Sequence, residues 1–120
     1  MPLILLIDDD EILLESMADL LMLSDFQVIT AQNGIEALNV LNEQLPDCIV
    51  TDVMMPEMNG FEFINEVRNS EELADIPIIL ITAYDRATYN RVQMDSAPDA
   101  VLSKPFDVDE LVEAIQEQLS

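Results

Sequence analysis

The chain has 120 residues and sets 25 acidic side chains against 4 basic ones, a formal net charge of −21. That balance argues against nucleic acid or an anionic membrane surface as a partner, because both are held by lysine and arginine. Half of the residues are apolar (50%), enough for a buried core despite the charge, and the length suits one domain over residues 1–120. Cys48 is the only cysteine and there is no histidine. An internal disulfide is therefore impossible and a zinc or haem site is a poor fit, so any metal should be a hard cation with oxygen ligands, Mg2+ or Ca2+. No apolar run nears the roughly 20 residues of a membrane helix. The short apolar start lacks the basic residues of a signal peptide, so a cytoplasmic location is expected.

In chain order, residues 3–7 are consecutive aliphatics stopped by Asp8-Asp9-Asp10, the pattern of a strand buried on both faces. Residues 11–23 stretch to helical length, with Leu14, Met17, Ala18 and Leu21 on one stripe and Glu15 and Asp19 off it. Residues 26–30 predict a second strand. Asn33-Gly34 then opens a helix whose expected apolar stripe is Ile35, Leu38, Leu41 and Leu45. Residues 48–51 predict a third strand that delivers Asp52, and Pro56 four positions later forbids its continuation. After a turn-rich loop ending in Asn59-Gly60, residues 61–69 predict a short helix burying Phe63, Ile64 and Val67. Residues 78–81 predict a fourth strand ending at Thr82. Asp85 can cap a weakly amphipathic helix whose apolar members are Ala87, Val92 and Met94. Residues 100–102 predict a fifth strand, ending at Ser103-Lys104-Pro105. The last helix is capped at Asp107, with Glu110 three residues on, and keeps Val108, Leu111, Val112, Ile115 and Leu119 on one face.

Strands alternating with helices argue a single α/β domain of (βα)5 type, a mostly parallel sheet with helices on both faces. In such sheets ligands gather at the carboxyl ends of the strands, near the point where strand order reverses. The polar residues obey that rule: Asp8 and Asp9, Asp52, Thr82 and Lys104 each follow or end a predicted strand. Crowded carboxylates repel, and a divalent cation such as Mg2+ relieves the repulsion. It also suits phosphoryl transfer, which depends on positioning and charge neutralisation. Lys104 is the only lysine of the chain. Its ammonium can pair with Asp52 and then with a phosphoryl oxygen, to which Thr82 can donate its hydroxyl. Taken singly, Asp8-Asp9-Asp10 has the alternative of a solvated acidic turn, Asp52 of a helix- or turn-capping aspartate, Thr82 of a turn cap and Lys104 of a surface lysine. Their joint placement carries the expectation that Asp52 accepts phosphate.

These residues also carry a resemblance. Asp8-Asp9 after an aliphatic strand, Asp52-Val53-Met54-Met55-Pro56 with Gly60 beyond, Thr82-Ala83 and Lys104-Pro105-Phe106 resemble the receiver domain of bacterial two-component response regulators, over the full length and in family order. The resemblance implies a CheY-like, flavodoxin-like, doubly wound five-stranded parallel sheet of order 2-1-3-4-5. It implies a phosphoacceptor signalling domain rather than a turnover enzyme. Phosphate would come from a histidine kinase or histidine phosphotransfer protein, with a downstream effector protein or domain as the second partner and a phosphorylation-dependent dimer as a further option. Asp9, Asp52 and the Met54 carbonyl would bind Mg2+ directly and Asp8 largely through water, while Lys104 and Thr82 would meet the phosphoryl group. The Lys104–Pro105 peptide is expected to be cis.

Several positions depart from the family pattern or tune it. Val101 stands where the family usually has an aromatic residue, which puts the usual threonine–aromatic switch in doubt. Met54 and Tyr84 occupy the positions that adjust the lifetime of the acyl phosphate, and their bulk is expected to shield it. Ser96-Ala97-Pro98 replaces a common glycine turn, and Arg86, Tyr89 and Arg91 fall on the expected signalling face. Two other readings compete. A phosphatase of the haloacid-dehalogenase type would use Asp8 as nucleophile, and beryllium fluoride would then mark Asp8 instead of Asp52. A receiver-like docking module would signal without phosphorylation.

Overall fold

The computed structural model describes residues 1–53, 58–82, 98–104 and 106–120. Its strands are β1 (Leu3–Ile7), β2 (Gln27–Ala31), β3 (Cys48–Asp52), β4 (Ile78–Thr82) and β5 (Ala100–Ser103). All pair in parallel, in the order β2-β1-β3-β4-β5. The helices among the described residues are α1 (Glu11–Leu23), α2 (Gly34–Glu43), α3 (Gly60–Arg68) and α4 (Val108–Leu119). The helix expected after Asp85, with Tyr84, Arg86, Tyr89, Arg91 and the Ser96-Ala97 part of its exit, lies outside the described residues, as do Met54 and Pro105.

Alternation along the strands divides the core in two. Ile4, Leu6, Cys48, Val50, Ile79 and Ile81 face α1 and α4, meeting Leu14, Met17, Leu21, Leu111 and Ile115. Leu5, Ile7, Ile49, Ile78 and Leu80 face α2 and α3, meeting Leu41, Phe63, Ile64 and Val67. Every residue of β3 and β4 is buried, which is why each opens as a continuous apolar run before its polar end. β5 is an edge strand with only half of its residues in the core, and Val101 is 39% exposed.

The helix starts follow local chemistry. Asp10, Asn33, Asn59 and Asp107 each sit in extended backbone and accept from an amide of the first turn. Asn59 and Glu62 complete a reciprocal capping box. The faces of α1, α3 and α4 are those expected from periodicity.

Two expectations shift. β2 begins at Gln27 rather than Phe26, because Phe26 belongs to the exit of α1. Asp25 takes the left-handed conformation (φ 71°), its amide donates to the Met22 carbonyl, and the Phe26 amide reaches back to the Leu21 carbonyl at 3.2 Å. This is a Schellman close with aspartate in glycine's usual place. On α2 the buried residues are Gly34, Ala37 and Leu41, while Ile35 is 46% exposed and Leu45 lies beyond the helix end. At the start of the helix the inward residue is small because a neighbour is close: a Cβ on Gly34 would meet the Met58 sulfur at 2.8 Å; further along, the expected Leu38 and Leu41 do pack on the core. Pro46 holds the residue before it away from helical backbone, so the apolar stripe cannot run on to Leu45.

Candidate functional site: an acidic pocket at the reversal of strand order

The chain passes from β1 outward to β2 and then returns to lay β3 on the other side of β1. The crevice of such a sheet opens at that reversal, beyond the carboxyl ends of β1 and β3. Asp8 and Asp9 follow β1 and Asp52 ends β3, so the topology brings them together. One carboxylate oxygen from each of Asp8, Asp9 and Asp52 lies within 4.8 Å of the others. Asp8 and Asp52 are buried and Asp9 is exposed.

Asp8 is fixed by two hydrogen bonds. Its amide donates to the Ala31 carbonyl at 3.1 Å, and its Oδ1 accepts the Asp10 amide at 2.9 Å. Its Oδ2 is buried with no hydrogen-bond partner among the described residues. Burial pushes the Asp8 carboxyl up to about 6; the Asp10 amide pulls the other way, and the negative charges of Asp52 and Asp9 add to the rise.

Lys104 follows β5 and reaches back across β4. Its Nζ donates to Asp52 Oδ2 at 2.7 Å, and its amide donates to the Thr82 carbonyl at 2.9 Å. Burial works to lower the pKa of this ammonium. The hydrogen bond it donates to Asp52, with the charges of Asp52, Asp8 and Asp9, outweighs burial and raises it. Thr82 is buried at the end of β4, one position beyond Ile81, the register partner of Asp52.

Asp8, Asp9, Asp52 and Lys104 therefore converge, and Thr82 ends the strand next to Asp52; Met54 lies outside the described residues. Sequence reasoning left the role of Gly60 unread. The Gly60 amide donates to the Val53 carbonyl at 2.9 Å, and a Cβ on Gly60 would stand 2.5 Å from the Asp52 carbonyl oxygen. Only glycine lets α3 start this close to the strand end. Its position directly after the Asn59 cap was the available signal. A separate, mostly apolar cavity of about 500 Å³ between α1 and α4 is lined by Leu13, Met17, Leu20, Phe106 and Leu111, together with Ser16 and Lys104.

Fold and pocket together define a doubly wound α/β protein whose polar residues meet where strand order reverses. A family model described as the response regulator receiver domain matches residues 4–116, and the chain belongs to that family, which serves two-component signalling. The response regulator MprA of Mycobacterium sp. (strain KMS) is 37% identical over 109 residues, covering 91% of this chain and 46% of its own. The chain thus spans about half the length of the curated relatives it matches. Among solved structures, the chemotaxis response regulator CheY4 of Vibrio cholerae superposes with a TM-score of 0.91 at 29% identity, covering 99% of both chains. The response regulator TrrA of Thermotoga maritima, solved in complex with Mg2+ and BeF, gives 0.87 at 33% identity, covering 99% of this chain and 100% of its own. No helix among the described residues is long and apolar enough to cross a membrane.

Proposed function

We propose that Asp52 is the phosphoacceptor and that the surrounding residues make it a usable nucleophile. The observation that carries this reading is the 2.7 Å contact of Lys104 Nζ with Asp52 Oδ2 beside two further carboxylates. Phosphate would arrive on the histidine of a kinase or phosphotransfer protein, in the cytoplasm. One Asp52 oxygen forms a bond to phosphorus as the phosphorus–nitrogen bond of the donor breaks, and the imidazole leaves with that electron pair and takes up a proton. Lys104 holds the carboxylate in place and afterwards faces the new phosphoryl oxygens, while Thr82 supplies a hydroxyl at the next strand end. The resulting change in the pocket then alters binding to an effector protein or domain.

The pocket fits a hard divalent cation. Its donors are all oxygens, and the orphaned Asp8 Oδ2 is a buried acceptor in need of a positive partner. Asp9, Asp52 and the Met54 carbonyl would hold Mg2+ directly, with Asp8 acting through water. When bound, Mg2+ neutralises the charge that builds on the transferring phosphoryl group.

Incubation with acetyl phosphate and Mg2+, followed by mass spectrometry, tests the proposal. The wild type should gain one phosphoryl group and Asp52→Asn none. Equal labelling of both proteins would move the acceptor elsewhere, and loss of labelling in Asp8→Asn alone would favour Asp8 as nucleophile.

A further inference from the structure

β5 carries Lys104 yet is the least secured strand of the sheet. It has four residues, lies at the edge and buries only Ala100 and Leu102 in part. Besides its ladder with β4, it has a side-chain anchor at its other end. The Asp99 amide donates to the Ile78 carbonyl at 2.9 Å, and Asp99 Oδ2 accepts the Ile78 amide at 2.7 Å. The same Oδ2 takes Arg68 Nη2 at 2.6 Å, while Arg68 Nη1 donates to the Ala74 and Ile76 carbonyls at 2.8 Å each. One guanidinium thus ties the end of α3, the connection into β4 and the start of β5. Its planar fork of donors suits that task in a way that an ammonium does not.

An aspartate also precedes β3: Asp47 Oδ2 accepts the Leu3 amide at 2.7 Å, and the Asp47 amide donates to the Leu3 carbonyl. Asp47 and Asp99 therefore pin their strands to the first residue of a neighbour in the same manner. Central β3 has a fully buried run to hold it as well. Edge strand β5 has a ladder on one side only and no fully buried side chain, and here the carboxylate is braced by Arg68.

We propose that Arg68 and Asp99 are positioning residues for the phosphoryl pocket: their ion pair sets where β5 starts against β4, and so where Lys104 stands beside Asp52. From Asp99 to Lys104 the strand runs about 16 Å at about 3.3 Å per residue. A slip of one residue would move Lys104 by that step and turn its neighbours to the opposite face. The Lys104–Asp52 contact has no such tolerance, and misplacement by about 1 Å can cost about a hundredfold in rate. The proposal rests on the reading of Lys104 as partner of the acceptor and its phosphoryl group.

The test compares Arg68→Met, Asp99→Ala and Asp99→Asn with the wild type. Leu41→Ala serves as a control for general loosening: Leu41 is buried in the layer of α2 and α3, to which β5 contributes no side chain. Because Lys104 is the only lysine, side-chain nitrogen-labelled lysine gives one ammonium signal in NMR. Beryllofluoride with Mg2+, followed by fluorine NMR, reports whether the pocket can be occupied. In Arg68→Met and Asp99→Ala the Lys104 signal should move toward that of a solvated lysine, and beryllofluoride affinity should fall about tenfold or more. Asp99→Asn, which keeps an acceptor for the Ile78 amide, should fall between them and wild type. An unmoved Lys104 signal in the folded variants, or an equal shift in Leu41→Ala, overturns the proposal. Failure of the wild type to form an adduct would instead sink the phosphoacceptor reading, and the Lys104 signal would still decide this one.

Discussion

Asp8 is the residue at which the cost of the pocket is concentrated. Its carboxyl is pushed from 3.8 to about 6, so the folded protein binds that proton more tightly than the unfolded chain. Ionising Asp8 therefore works against the fold. The penalty begins as pH rises past 3.8, is complete above about 6, and amounts to at most about 3 kcal/mol. Asp8→Asn should stabilise the metal-free protein at pH 7 and flatten this part of its pH profile, while changing little at pH 4. Thermal melts across that range in chelator, repeated with Mg2+, measure it. Added Mg2+ should raise the wild-type melting temperature more at pH 7 than at pH 5, because only the ionised carboxyl gains from the cation. Gly60 shows a different residue-scale constraint, in which the absence of a side chain lets one element touch the backbone of another.

At the scale of elements, caps and periodicity explain what was readable. Helices α1, α3 and α4 have caps and apolar stripes that agree, so bounds and buried faces could be read from the chain. Loss of the reciprocal cap in Asn59→Ala should cost about 1 kcal/mol, seen as a lower midpoint of urea unfolding. Helix α2 resisted such reading for a physical reason. Its first inward residue, Gly34, is set by close approach to Met58, a contact distant in sequence, and Ile35 beside it is left outside, while Leu38 and Leu41 keep the expected face. The start of β2 was misplaced by one residue because Phe26 is apolar and β-prone but is claimed by the close of α1. The pocket was legible because parallel strands end in one place, so residue types at strand ends map directly onto a site. Arg68 and Asp99 were not legible, since an ion pair between a helix end and a strand start has no local pattern.

Over the whole molecule the excess of acid has a price in self-repulsion. With a net charge of −21, the folded state gathers charges that the unfolded chain keeps apart, and salt screens them over about 10 Å at 0.1 M. Raising sodium chloride from 0.01 to 0.5 M in chelator should therefore raise the melting temperature by several degrees, measured by circular dichroism. An unchanged or lower value would mean that ion pairs such as Arg68–Asp99 outweigh the repulsion. The scarcity of cations has a separate consequence for the one lysine. Amine-directed acylating reagents find a single ε-amine in this chain, and it is held protonated against a carboxylate, a form that does not attack them. Acylation at Lys104 is consequently gated by the breaking of its pair with Asp52, so the protein carries a covalent recorder of how often its own pocket opens.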